Sequence, residues 1–310
     1  MLTFKIRQAR KQNIDDWLNL NFLLFEITDL LIQNMVRLKY YSALNEIQFV
    51  ELFDSQEKIG HVALIKQKMY IHSEIYEVAF LTSFYIFPKY RGSGYLSQLL
   101  AKAEELVSIE NCLASIIIAR KAVRDMYSKQ GYFGFSVFPS VYLSKKITKH
   151  YHATHIPENI SEINLNNAYL DTYSTLTGTI VRSELYWKSI KYALECGLFG
   201  IVSDNSTESY MIIKNSIAIE IAGDNSSVIN LIERSSINMY VTPKAHPIFE
   251  YLMQSGGEYQ YRPEPKEGHL LKIMNKNSEG SNYLLSLVIN DLNIRDINFN
   301  YMNILELNQW

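Results

Sequence analysis

At 310 residues and 47% apolar side chains, the chain is long enough for two domains of ordinary size and can build a core in each without staples. A formal net charge of −2 excludes the overall basic field that draws a protein to nucleic acid or an anionic membrane, so any anion site must be local. The two cysteines, Cys112 and Cys196, stand far apart in no ligand-like spacing, which argues against a disulfide framework and a zinc cluster and fits a reducing compartment.

In chain order, "MLTFKIRQARKQNIDDW" scatters its charges and has no apolar core of signal-peptide length. No apolar run approaches the roughly twenty residues a membrane span needs. A soluble, cytoplasmic protein is expected. "LTFKIRQA" alternates as a strand, and "NIDDWLNLNFLLFEITDLLIQNMVRLKYY" carries apolar residues at helical spacing, as two helices, the first capped by Asn13 or Asp15. Asp15 and Asp16 read as first-turn helix charges rather than an acid/base pair. "QFVELFD", "IGHVALIKQKMYI" and "YEVAFLTSFYIF" then predict three strands that end at Pro88.

Between that apolar strand and the next helix lies "KYRGSGY". Consecutive N–H groups around Gly92 to Leu96 can point into one concavity at a helix start, where orphan donors and the positive end of the helix dipole favour an anion and Arg91 adds charge. That describes a pyrophosphate cradle. The plain alternative is a strand-to-helix turn that merely needs glycine conformations. No Gly-Lys-Ser/Thr follows and the three-glycine dinucleotide fingerprint is missing, so neither a P-loop nor a Rossmann turn fits. Leu96, Leu99, Leu100, Ala103 and Leu106 keep helical spacing after the turn. "LASIIIA" predicts a buried strand, "AVRDMYSKQG" a short helix closed by Gly131, and "FGFSVFPSVYLSKK" the last strand or strands.

From about His150 the texture turns polar, and "KHYHATHIPENISEINLNN" reads as a linker, with the domain boundary at 149/150. His150, His152 and His155 lie close together, but no carboxylate or cysteine joins them, so no metal is expected. Beyond it, "VRSELYWKSIKYAL", "SSVINLIER" and "HPIFEYLMQSG" predict helices, while "GLFGIVS", "SYMIIKN", "IAIEIAG", "INMYVTP" and "HLLKIMN" predict strands. This half has no glycine-rich turn.

Strand, arginine-glycine turn, amphipathic helix, apolar strand and short helix together resemble the GNAT superfamily of acetyl-CoA-dependent acyltransferases. The family's turn reads Gln/Arg-x-x-Gly-x-Gly/Ala; Arg91, Gly92, Ser93, Gly94 and Tyr95 satisfy it, and Leu96 departs from it. "DMYSKQGYFGF" is similar to a second family pattern through Tyr127, Gly131 and Tyr132. The resemblance covers about the first 145 residues. The whole chain is also similar to the enhanced-intracellular-survival type of acetyltransferase, in which a second, degenerate GNAT domain follows the first; the chain is too short for that group's third domain.

The resemblance implies a mixed α/β fold, with a GNAT domain at 1–149 and a degenerate GNAT-like α/β domain with a C-terminal tail at 150–310. It implies acetyl-CoA as co-substrate, held by the turn from Arg91 to Leu96, by the backbone of Phe84, Tyr85 and Ile86 on a strand that splays from its neighbour, and by Arg120 near the second helix. It implies direct attack of an amine on the thioester, with Tyr127 giving a proton to the departing thiolate. The plain alternative makes Tyr127 a core aromatic beside Val123 and Met126. Phe80 stands where a family glutamate base is usual, leaving Glu77 as the nearest acid, on the other face of the strand, with proton removal through water as the alternative. The acceptor is expected to be a small-molecule amine such as an aminoglycoside or amino sugar. The second domain is expected to wall the acceptor cleft or form a homo-oligomer contact. The competing expectation is a non-catalytic acyl-CoA-binding or interaction module that keeps the fold.

Overall fold

The computed structural model describes residues 1–135, 140–144, 161–203, 209–242, 246–260, 267–275 and 277–289. The histidine group at 150–155, the tail at 290–310 and the 149/150 junction lie outside them. In chain order the elements are β1 (Leu2–Gln8), α1 (Lys11–Leu24), α2 (Leu30–Ser42), β2 (Ile47–Asp54), β3 (Glu57–Ile71), β4 (Glu74–Ile86), α3 (Tyr95–Ile109), β5 (Ala114–Arg120), α4 (Lys121–Lys129), β6 (Phe133–Phe135) and β7 (Ser140–Leu143). They continue with α5 (Glu162–Tyr173), β8 (Thr179–Ile180), α6 (Glu184–Glu195), β9 (Gly200–Ser203), β10 (Ser209–Lys214), β11 (Ile217–Gly223), α7 (Asn225–Arg234), β12 (Met239–Val241), α8 (Pro247–Gln254), β13 (Gly257–Gln260), β14 (Glu267–Ile273) and α9 (Glu279–Ile289). The fold is mixed α/β with two sheets.

The first sheet runs β1-β2-β3-β4-β5-β14-β6, and the second β13-β7-β12-β11-β10-β9. Alternation along β2 to β4 sends Phe49, Ala63, Ile65, Val78 and Phe80 to one face, under Trp17, Leu18 and Phe22 of α1. Val50, Val62, Leu64, Ala79 and Leu81 go to the other, under Leu99, Leu100, Ala103 and Val107 of α3. Each such leucine, fully buried, contributes about 1.5–3 kcal/mol.

The two halves exchange strands. β14, from the C-terminal half, pairs along its whole length with β5, Glu267 against Arg120 through Ile273 against Ala114, and its other edge takes β6. In return β7 joins the second sheet between β12 and β13. The order β4-β5-β14-β6 is thus repeated as β11-β12-β7-β13, with α3 and α7 following the corresponding strands and β11 pairing β12 in parallel as β4 pairs β5. The strand content of the sheets therefore does not divide at 149/150.

Two local expectations are corrected. Residues 162–167, read as linker, begin α5, because Leu165, Ala168, Tyr169, Thr172 and Tyr173 bury one helical stripe between polar asparagines. Helix α1 starts at Lys11, with Arg10 at the cap position and Asn13 one turn in, where its Oδ1 accepts from Arg10 N at 2.8 Å.

Candidate active site

The cleft begins with a bulge. Register between β3 and β4 steps from His61↔Tyr85 to Ala63↔Thr82, so Ser83 and Phe84 together oppose Val62, and Ser83 takes a left-handed φ of 55° that a serine rarely adopts. The extra residue bends β4. Its parallel pairing with β5 covers Ala79↔Ser115 to Leu81↔Ile117, after which β4 continues to Ile86 and β5 to Arg120 on the β14 side. Thr82–Ile86 thereby leaves β5, which is the splay the resemblance implies, and backbone groups along this edge can pair with an extended ligand arm.

A 3₁₀ turn, Pro88–Tyr90, follows, and Lys89 and Tyr90 both reach Glu57 at the β2–β3 hairpin, which ties the turn to the sheet. Arg91 donates from Nε to Ile86 O at 3.0 Å and lies over the Tyr85 ring at 5.4 Å, leaving its terminal nitrogens directed by a fixed stem. Gly92 and Gly94 have φ of 84° and 76°, and an added Cβ at either would meet nothing within 4 Å. Gly94 is the N-cap of α3 and no side chain caps the helix. The turn thus ends in uncapped, outward N–H groups at the positive end of a 15-residue helix, an arrangement suited to an anion. Ser93 is exposed, whereas Tyr95 and Leu96 are half-buried and pack on the α3 side of the core. Leu96 therefore points into the core, which is how the chain accommodates its departure from the family pattern.

Tyr127 of α4 is 3% exposed and meets the Phe84 ring at 5.9 Å and the Tyr132 ring at 5.9 Å. It is a core aromatic that also touches the splayed strand. Its hydroxyl takes no hydrogen-bond partner among the described residues, and burial holds the phenol above its ordinary pKa, so it stays protonated. Beneath it, Tyr132 and Ser115 hydroxyls bond at 2.7 Å, and Lys272 of β14 pairs with Glu104 of α3 at 2.7 Å.

The structure places Phe84, Tyr85 and Ile86 on the end of β4 beyond its pairing with β5, with Tyr127 against Phe84, Arg91 over Tyr85, and Gly92, Ser93 and Gly94 in the turn that leads into α3. Arg120 closes β5, and its side chain lies outside the described residues. Glu77 is not brought there. It is exposed, pairs across the sheet with Lys68, and accepts from Leu113 N through its carbonyl, near Glu110 and Cys112 at the far end of α3. Phe80 is 9% exposed in the core under α1 and α2. Cys112 is buried and its thiol is pushed up to about 12 by desolvation, which leaves no nucleophile. Among the described residues, no group of three or more His, Cys, Asp or Glu could hold a metal, and no helix is long and apolar enough to cross a membrane.

In the second half the corresponding helix end is closed. Asp224 caps α7, its carboxylate accepting from Ser227 N at 3.0 Å, which places negative charge where α3 offers free donors. The second sheet covers a buried ion pair, Arg182 to both oxygens of Glu220 at 2.9 and 2.5 Å, with Arg182 stacked over Tyr169 at 3.9 Å.

Residues 5–134 match a family model described as an acetyltransferase (GNAT) domain. Similar solved structures include a probable N-acyltransferase from Enterococcus faecalis (13% identity, TM-score 0.65, covering 88% of this chain and 73% of that one). A GCN5-related N-acetyltransferase from Anabaena variabilis gives 15% identity and a TM-score of 0.62 over 88% and 73% of the two chains. Eis1 from Mycobacterium abscessus gives 13% and 0.60 over 88% and 74%. At these identities the likeness is one of fold. No curated protein matches the chain in sequence.

Proposed function

We propose that the protein, whose residues 5–134 match a family model described as an acetyltransferase (GNAT) domain, is an N-acetyltransferase that moves an acetyl group from acetyl-CoA to the primary amine of a small molecule. The observation that carries this is the uncapped, glycine-lined start of α3 set directly beyond a strand that leaves its neighbour. Backbone N–H groups of Gly92 to Leu96 and the Arg91 guanidinium hold the pyrophosphate, and the free edge of Phe84 to Ile86 holds the pantetheine arm. Bound there, acetyl-CoA supplies a thioester activated for attack by an amine.

Tyr127 acts on the leaving group. As the carbon–sulfur bond breaks and its electron pair passes to sulfur, the Tyr127 O–H gives its proton to the thiolate; a buried phenol whose hydroxyl has no partner among the described residues is suited to this. With Glu77 at the far end of α3, the proton of the amine leaves through water. The second half, whose α7 start is closed by Asp224, acts as a wall rather than as a second cofactor site.

The absence of a described carboxylate at the bulge favours one other reading, a CoA-binding module without turnover. Calorimetry with acetyl-CoA followed by thiol release on an amine panel separates the two. Arg91→Glu should abolish CoA binding; intact affinity in that variant would remove the cradle assignment. Tyr127→Phe should keep cofactor affinity and slow turnover on the order of a hundredfold. Binding with no thiol release from the parent protein on any amine would leave only the module.

A further inference from the structure

Helix α4 ends in a tight cap that holds two phenols together. Gly131 takes a φ of 86°, and Tyr132 N donates back to Tyr127 O at 3.2 Å. The Tyr132 ring, 2% exposed, meets the Tyr127 ring edge to face at 5.9 Å and 71°, while Phe84 of the freed strand meets Tyr127 at the same distance. The Tyr127 hydroxyl takes no hydrogen-bond partner among the described residues, so packing against its neighbours sets where it points.

Tyr132 is itself anchored. Its hydroxyl lies 2.7 Å from that of Ser115, fully buried on β5. Across the sheet from Ser115 stands Lys272 of β14, which shares its face. Lys272 Nζ lies 5.7 Å from the centre of the Tyr132 ring and pairs with Glu104 Oε2 of α3 at 2.7 Å. The other carboxylate oxygen, Glu104 Oε1, is buried with no hydrogen-bond partner among the described residues. An ammonium only donates and a carboxylate only accepts, so Lys272 fills one oxygen and the Tyr132 O–H is the donor turned toward the other, with Ser115 donating to Tyr132. Burial, against the Ser115 bond, and then the Glu104 charge hold the Tyr132 phenol well above its ordinary pKa, so it keeps its proton.

Leucine at 104 and phenylalanine at 132 would fill the same space without desolvating a carboxylate and a hydroxyl. What the polar set adds is direction. Contacts at the hydroxyl fix the rotation of the Tyr132 ring, and that ring is a surface on which Tyr127 rests. Three elements, α3, β5 and β14, meet in this one anchor, and β14 belongs to the C-terminal half.

We propose that Lys272, Glu104 and Tyr132 are positioning residues for Tyr127, so that a strand from the C-terminal half sets the aim of the proton donor carried by the N-terminal half. The inference rests on the N-acetyltransferase reading and extends it: the second half takes part in the chemical step as well as walling the cleft.

The test joins turnover with a readout that needs none. In thiol release from acetyl-CoA with an amine panel, Lys272→Met and Tyr132→Phe should each lower kcat about tenfold while calorimetry finds acetyl-CoA affinity unchanged, and Lys272→Arg, which keeps the charge, should restore most of the rate. In a Tyr127→Phe background neither change should lower kcat further, because the group they aim is gone. Equal losses in both backgrounds, or an unchanged kcat in Lys272→Met, overturn the positioning role. Ser115→Ala, a milder cut at the same anchor, serves if the methionine variant melts early. In protein labelled with 3-fluorotyrosine, the fluorine NMR line missing from Tyr127→Phe marks Tyr127; Lys272→Met should shift or broaden that line and Lys272→Arg should not. A line that ignores Lys272→Met overturns the inference even in an active enzyme. A line that responds in a protein releasing no thiol with any amine would remove the transferase reading and keep the positioning of Tyr127.

Discussion

Gly94 is where one residue type decides the site. Its φ of 76° suits glycine, and a Cβ there meets open space, so Gly94→Ala should cost about 1–2 kcal/mol through backbone strain alone. The methyl would also stand in the anion concavity. A lower melting temperature together with weaker CoA binding is expected, and unchanged CoA affinity in a folded variant would move the cradle elsewhere. Tyr127 makes a pH prediction. Burial raises its pKa, so the protonated donor form persists up to and beyond the ordinary phenol value of about 10, and activity is lost only as pH rises above it. A pH–rate profile showing a basic limb below pH 9 that disappears in Tyr127→Phe would contradict the assignment. The glycines and the tyrosine of the proposed site are singled out by motif spacing in the sequence. Ser83, which creates the bulge, was not, since a non-glycine residue at positive φ leaves no trace in composition or periodicity. Glu77 shows the reverse case: proximity in sequence suggested a base, and the run of β4 carried it to the wrong end of the sheet.

Among elements, α3 and α7 are the informative pair. Both follow a strand that pairs in parallel with the next, yet α3 starts on an uncapped glycine and α7 on an aspartate whose side chain accepts from Ser227 N. Asp224→Ala should therefore destabilise the protein by about 1 kcal/mol, the usual worth of a cap, without altering acetyl-CoA affinity. Thermal melting and calorimetry read the two effects separately; a loss of cofactor binding would show that the second half takes part in it. Most elements were visible from apolar period and turn residues, including the β1 to β6 order. α5 was obscured because Asn164, Asn166 and Asn167 favour loops locally, and burial of Tyr169 and Tyr173 overrode that preference.

Across the whole molecule, the exchanged strands bind the halves together. Beyond Ile117, β5 loses β4 and keeps β14, so one wall of the cleft is held by a strand from the C-terminal half. A fragment ending at residue 149 would lack β14, leaving β5 with an open edge and β6 without its described partner. Such a fragment should aggregate or fail to bind CoA, as size-exclusion chromatography and calorimetry would show; a monomeric, CoA-binding fragment would mean that the first half supplies its own closing strand. By itself the sequence determined the turn, the helix after it, the order of elements from β1 to β6 and the family they resemble, because these depend on local spacing and on residue types with special backbone freedom. Tertiary structure alone decided which half each of β7 and β14 serves, that Glu77 and the cleft lie at opposite ends of α3, and that Lys272, Glu104 and Tyr132 meet. Those facts depend on pairing between residues distant in the chain, and pairing partners leave the same alternating pattern whichever sheet they join.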